Sequence, residues 1–192
     1  VAAGAYADVI ALYQFDSSSI ASSDTALNST AGNFQRDGAD LTGFAGGNGG
    51  GTAANGNAWN VGTGTADWSW FGFTLAVDSG YTFNFESLAF DQRKSSTGPA
   101  NYAVYYNDGA GFTLVQTEAL GSSTAWSTFT ANANTFSSTA SSIAFRIYGY
   151  NSTASAGTWR NDNVTLNGTV VVPEPGSMAL LGLGVGALVL FR

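Results

Sequence analysis

From Asp8 to Val171 the apolar side chains recur at every second residue, with no run at helical spacing, and this alternation constrains the fold more than any other feature. In Thr82-Phe83-Asn84-Phe85-Glu86-Ser87-Leu88-Ala89-Phe90 it places Phe83, Phe85, Leu88 and Phe90 towards a core, and the change of phase after Phe85 predicts a bulge. Similar runs occupy Ile10–Phe15, Trp68–Val77, Tyr102–Asn107, Thr113–Ala119, Ser127–Ala131, Ile143–Tyr150 and Asn163–Val171. Turn signals separate them: Asp78-Ser79-Gly80, Gly98-Pro99, Asn107-Asp108-Gly109 and Asn167-Gly168, with Asn107–Gly111 read as a hairpin tip. Short strands spaced this way predict an all-β antiparallel sandwich. Gly43 to Gly64 is too rich in glycine for regular strands, apart from a short one at Ala58–Val61, and is read as a long surface loop, with a flexible linker as the alternative.

The composition removes several function classes. With no Cys and no His, disulfides, thiolate nucleophiles, zinc sites and imidazole acid–base chemistry are excluded together. Six basic and thirteen acidic residues give a net charge of −7 without a Lys/Arg run, so nucleic acid is not an expected partner. Charged residues are only 10% of the chain, so Gly, Ser, Thr and Asn must make up the surface.

Both ends differ from the body. Ala5-Tyr6-Ala7 places small residues at the −3 and −1 positions of a signal-peptidase site, and residues 1–7 are read as the end of a signal peptide. A small-residue lead into the first strand is the alternative. At the other end, Gly176 to Phe191 carries no charge, and Ser177 is its only polar side chain. As a helix rising ~1.5 Å per residue it would be about 24 Å long, short of a ~30 Å hydrocarbon core. Gly182, Gly184 and Gly186 disfavour a soluble helix but are tolerated in lipid. Being apolar on all sides, the run suits a short transmembrane helix better than a buried helix with one polar face. Pro173 and Pro175 keep the backbone before it extended.

The order Val172-Pro173-Glu174-Pro175, apolar helix, terminal Arg192 resembles the PEP-CTERM sorting signal of exported proteins of Gram-negative bacteria. The family usually ends on a short basic cluster, where this chain has one Arg. The resemblance implies a transient hold in the inner membrane, processing by an exosortase, and delivery to the cell surface or extracellular matrix, in association with exopolysaccharide or biofilm. It divides the chain into a residual signal-peptide end (1–7), a β-sandwich domain (8–171) and the sorting signal (172–192).

The body has a resemblance of its own. WSWFGFTLAVDSGYTFNFESLAFDQR, TGPANYAVYYNDGAGF and IAFRIYGYNSTASAGTWRNDNVTLNGTV look like the jelly-roll domains that often precede this signal, which are built like carbohydrate-binding modules. Asn161 departs from the pattern, which has an apolar residue before Asp162-Asn163-Val164. The expected fold is therefore an antiparallel, jelly-roll-like β-sandwich followed by a short C-terminal transmembrane helix. By the same resemblance a structural Ca²⁺ is expected where the first and last strands meet, at Asp16 and Asp162, since hard oxygen ligands are what the sequence offers. In the plainer alternative, Asp162 accepts hydrogen bonds from neighbouring backbone.

Candidates for chemistry are few. Glu86 and Glu118 are the only glutamates of the body, with Asp91 and Asp162 as possible partners, but no motif pairs them. There is no Gly-x-Ser-x-Gly and no His to activate a serine, so a non-enzymatic protein is expected. Sugar binding needs exposed rings beside hydrogen-bonding groups. Trp59, Tyr106, Tyr148 and Tyr150 are the candidates put forward, from a set that includes Trp68, Trp70, Trp126, Trp159 and Tyr105. Alternation sends one ring of Tyr105-Tyr106 outward, and places Arg146, Tyr148 and Tyr150 together opposite Phe145 and Ile147. The leading expectation is an exported, non-catalytic surface or matrix protein; the alternative is a carbohydrate-binding module recognising matrix polysaccharide through exposed aromatics.

Overall fold

The computed structural model describes residues 8–23, 26–61, 69–121 and 124–173, so residues 1–7, the sorting residues Glu174, Pro175 and Arg192 and the expected C-terminal helix lie outside it. The described residues form fourteen strands in two antiparallel sheets, the sandwich that the alternation predicts. They are β1 (Asp8–Tyr13), β2 (Ser29–Ala31), β3 (Gln35–Arg36), β4 (Ala39–Asp40), β5 (Phe44–Gly46), β6 (Thr52–Gly56) and β7 (Trp70–Val77). The second half holds β8 (Thr82–Lys94), β9 (Asn101–Asn107), β10 (Thr113–Ala119), β11 (Ser127–Ala131), β12 (Phe136–Ser138), β13 (Ser142–Tyr150) and β14 (Trp159–Val171).

The first sheet is organised around β8 and β14, each thirteen residues long and paired along their length. The free side of β14 takes β6 at one end and β1 at the other, while β8 takes β11 and β12. The second sheet runs β10-β9-β13-β7-β3-β4, with β2 also on β7. Most successive long strands change sheet; β9 and β10 instead form a hairpin within one. At its tip the Asn107 side-chain oxygen accepts the N–H groups of Gly109 and Gly111, and both glycines have positive φ.

The expected bulge lies at Glu86: Asn167 faces Ser87, but the next residue, Gly168, faces Phe85, leaving exposed Glu86 unpaired. A second bulge, in β14, sets Asn163 and Val164 between the pairs Asp162–Asp91 and Thr165–Ala89, with Asn163 at φ 47°. These kinks keep Phe83, Phe85, Leu88 and Phe90 all facing inward, as the phase change requires.

The core is aromatic. Phe145 of the second sheet lies against Phe85 (5.9 Å between centroids), Phe83 (6.2 Å) and Phe73 (5.4 Å). Tyr13 packs on Phe34 and Phe73, and its hydroxyl donates to the Gly32 carbonyl at 2.7 Å, which satisfies the polar end of a fully buried ring.

The glycine-rich segment differs from expectation. It holds two strands: β5 and β6 pair with each other around a Gly47–Gly51 tip, and β6 also pairs with Trp159–Asn161 of β14. Ala53 and Ala54 of β6 are both buried, Ala54 within the core, so tertiary contact outweighs the weak strand propensity of the segment. Ala58–Val61 is not a strand; Ala58 is left-handed at φ 55°, which turns Trp59 into the core.

Phe145→Ala removes the ring on which both sheets close, and should cost about 3–5 kcal/mol in urea unfolding. A midpoint within experimental error of the parent would contradict this packing.

Candidate functional sites

Period-two geometry gives the second sheet an outer face with an unusual side-chain set. Across β9, β13 and β7, Tyr105 stands opposite Arg146 and Arg146 opposite Gly72, while in the next row Ala103, Tyr148 and Trp70 align. Gly72 cannot be replaced without conflict: an added Cβ would meet the Trp70 ring at 3.1 Å and run into the Phe145 carbonyl, so the indole lies across the sheet where a side chain would otherwise stand. The Arg146 guanidinium sits 4.2 Å from the Trp70 ring centroid and 4.0 Å from that of Phe112, held between the two. One of its nitrogens donates to the Tyr148 hydroxyl at 3.1 Å, and Tyr148 meets Tyr105 edge to face at 5.4 Å. The Tyr150 hydroxyl shares a hydrogen bond with Thr117 at 2.7 Å. Burial raises the Tyr105 phenol above its usual pKa, with Tyr148 and Tyr150 adding to the effect, so the phenol remains a neutral donor at physiological pH. The result is a half-buried shelf of rings with a fixed cation and hydroxyls at its edges.

Of the ring residues put forward from sequence, Tyr148 and Tyr150 stand on this face, as alternation required. Tyr106 does not: it points inward and stacks on Phe136 at 3.6 Å, leaving Tyr105 as the outward ring of the pair. Trp59 is also excluded as a surface platform, being 1% exposed. It lies edge-on to Trp159 at 5.0 Å, under Arg36, and its N–H donates to the Gly56 carbonyl. One sequence signal pointed there: Gly149 occupies the inward position that continues Ile143, Phe145 and Ile147, and the Trp59 and Trp159 rings fill its empty volume at 2.9 Å. Phe112 had no such signal, because it follows a hairpin tip where alternation is lost.

A polar cluster occupies the outer side of the first sheet. Asp162 and Asp91 are direct partners across β14 and β8, and both are nearly buried. Asp162 accepts the backbone N–H groups of Asn48 (2.7 Å) and Asn163 (2.8 Å). Asp91 accepts hydrogen bonds from the side chains of Thr128, Asn48 and Asn163. Asp16 reaches the same Gly47–Gly51 tip from beyond β1, and a Cβ at Gly51 would collide with its carboxylate. Burial pushes the Asp162 carboxyl up; the Asn48 and Asn163 hydrogen bonds oppose this, and the charges of Asp91 and Asp16 reinforce it. Burial acts the same way on Asp91, but its three hydrogen bonds prevail and hold it below the ordinary value. The backbone-accepting role read for Asp162 is thus present. Among the described residues, no group of three or more carboxylates has metal-holding geometry. A hard cation would therefore need backbone carbonyls of the glycine tip to complete its shell.

The glutamates are not brought together. Glu86 is exposed at its bulge in the first sheet, whereas Glu118, on the second, accepts from the Tyr102 hydroxyl at 3.1 Å.

Residues 171–192 match the PEP-CTERM protein-sorting motif. No curated protein matches the chain. Similar solved structures include a CBM4 structure, with 17% identity over 82% of this chain and 85% of that one, at a TM-score of 0.42. A family 29 carbohydrate-binding module has 14% identity over 85% and 90%, at 0.44. The K3 cleaved adhesin domain of Lys-gingipain from Porphyromonas gingivalis has 12% identity over 84% and 99%, at 0.43.

The two aspartates should separate in pH. A raised carboxyl pKa means that the folded state binds the proton more tightly, so Asp162 lowers stability as pH climbs from about 4 through its raised value. Asp91 is depressed, so its contribution is lost only below that range. In chelator, Asp162→Asn should flatten the stability profile above pH 4 and leave the acid limb in place; parallel profiles would contradict the assignment.

Proposed function

We propose that the protein is an exported, non-catalytic surface or matrix protein whose sandwich binds polysaccharide across the outer face of the second sheet. The observation that carries this reading is the shelf formed by Trp70, Arg146 and Phe112 with Tyr105 and Tyr148. Flat rings supply apolar area to the C–H faces of a sugar at little entropic cost. The fixed guanidinium and the Tyr and Thr hydroxyls supply directional partners for its hydroxyl groups. Arg146 takes part as a positioning residue, since it holds both Trp70 and Phe112. In affinity electrophoresis against soluble neutral polysaccharides, the protein should be retarded, and Trp70→Ala or Tyr148→Ala should weaken retention about fivefold or more, taking ~1–3 kcal/mol for a ring stacked on a flat ligand. Retention unaffected by both substitutions would sink the aromatic-face reading.

Export is the second component. The motif at residues 171–192 supports an inner-membrane hold followed by exosortase processing, after which the sandwich is released to the surface, exopolysaccharide or biofilm matrix. Co-expression with an exosortase should shorten the chain and move it out of the membrane fraction. An unchanged size and location would contradict the sorting route.

A structural Ca²⁺ is a further part of this reading, held by Asp16, Asp162 and carbonyls of the glycine tip. Repulsion of the buried Asp162 carboxylate by Asp91 and by the exposed Asp16 supports it, because a divalent cation neutralises that repulsion. Repeating the stability titration in millimolar calcium should remove the loss above pH 4; a profile identical to that in chelator would exclude the ion.

A further inference from the structure

One row of the aromatic shelf carries groups that a sugar bearing only hydroxyls leaves partly unused. Cross-strand pairing sets Gln35 beside Gly72, Gly72 beside Arg146, Arg146 beside Tyr105 and Tyr105 beside Leu114. The row therefore crosses β3, β7, β13, β9 and β10, and at ~4.8 Å per strand it is about 19 Å long, room for more than one sugar residue. At its middle is a cation with spare donors. A guanidinium has five N–H groups, and among the described residues the Tyr148 hydroxyl is the only hydrogen-bond acceptor of Arg146. Trp70 and Phe112 fix the group from either side, so the unused N–H groups have a set position.

The β10 end of the row is apolar and open. Phe112 is 38% exposed and Leu114 37%, with one residue between them. Phe112 lies against the guanidinium, and Leu114 is the cross-strand neighbour of Tyr105. A lone exposed Leu needs no explanation. Here the exposed apolar surface adjoins donors that lack an acceptor.

We infer that the sugar held on this row carries an acetamido group, its carbonyl oxygen accepting from Arg146 and its methyl lying on Phe112 and Leu114. This rests on the polysaccharide reading of the shelf and names the class of sugar. A carbonyl oxygen is a good acceptor for a charged donor, and such bonds are stronger than neutral ones. In an acetyl group that oxygen and the methyl share one carbon, so a single substituent serves a donor and the apolar surface next to it. A sugar hydroxyl answers the donor and leaves Leu114 against water. A carboxylate does the same, and it meets little positive charge on this face. Arg36 is turned inward over Trp59, and Arg93, Lys94 and Arg160 belong to the first sheet. A polyanion would also approach a chain of net charge −7.

Calorimetric titration of the full chain compares triacetylchitotriose with cellotriose, which has the same linkage and ring configuration but a hydroxyl in place of each acetamido group. The acetylated trimer should bind at least about tenfold more tightly. Leu114→Ser alters an exposed side chain and should fold as the parent does. It should lose most of that preference by weakening the acetylated trimer alone. Arg146→Lys keeps the charge without the planar fork and should narrow the preference as well. In the complex, a nuclear Overhauser effect should connect the acetyl methyl protons to Leu114. Equal affinity for the two trimers would overturn the acetamido assignment and leave the shelf standing, as would tighter binding of a galacturonate trimer. A preference unchanged in Leu114→Ser would overturn the placement of the methyl. Failure of the underlying reading has a different signature: neither trimer binds, and neutral polysaccharides do not retard the protein.

Discussion

The pairing of β8 with β14 is the interaction on which the rest of the molecule depends. These two strands form the spine of the first sheet, and β1, β6, β11 and β12 are short segments docked along its sides. Their two bulges keep both inner faces in phase with the core. Inward from the spine come Phe83, Phe85, Phe90, Trp159, Val164 and Leu166, against which the second sheet closes. Outward, the same register stacks two like-charged pairs, Asp91 with Asp162 and Arg93 with Arg160. The acidic pair is answered by Asn48, Asn163 and Thr128, whereas the basic pair is tied outward to the carbonyls of Thr124 and Gly46. One strand register therefore sets the core and the acidic cluster together.

The second sheet divides its two faces differently. Its inner face supplies Phe71, Phe73, Val104, Phe145 and Ile147 to the core, and its outer face carries rings instead of the Ser, Thr and Asn that form most of the surface. A chain with so few charges has little need of an arginine there for solubility. Arg146 is instead clamped between Trp70 and Phe112 and bonded to Tyr148, an arrangement that fixes four side chains at once. Fixed rings lose little freedom when a flat ligand is laid on them, which is why rigidity at such a face favours binding.

Much of this was legible in the sequence because the side-chain period of a strand is two. Alternation located the long strands, and the slip between Phe85 and Leu88 located the Glu86 bulge. It also placed Tyr148, Tyr150 and Arg146 on one face. It failed where absolute phase mattered: one of Tyr105 and Tyr106 had to point outward, but the choice follows from Tyr102 and Val104, which share the inward phase of Tyr106. The glycine-rich stretch hid β5 and β6 because their stability comes from docking on β14 rather than from local propensity. Trp59 was misplaced for the same reason, since only tertiary contact with Trp159 and the space at Gly149 reveals it as core. Convergence of Arg93 with Arg160, and of Asp91 with Asp162, depends on a register between residues some seventy positions apart, which no local pattern encodes.

The sorting motif and the sandwich play separate parts in this account: the terminal residues direct the route, and the sandwich faces the ligand. The central claim is that the outer face of the second sheet is where a neutral glycan is held. Chemical-shift mapping of the isotope-labelled protein during titration with a neutral oligosaccharide tests it most directly. The account predicts shifts concentrated at Trp70, Tyr105, Phe112, Arg146 and Tyr148, with the indole N–H of buried Trp159 unmoved. Shifts confined to the first sheet, or to the Gly47–Gly51 tip, would contradict it.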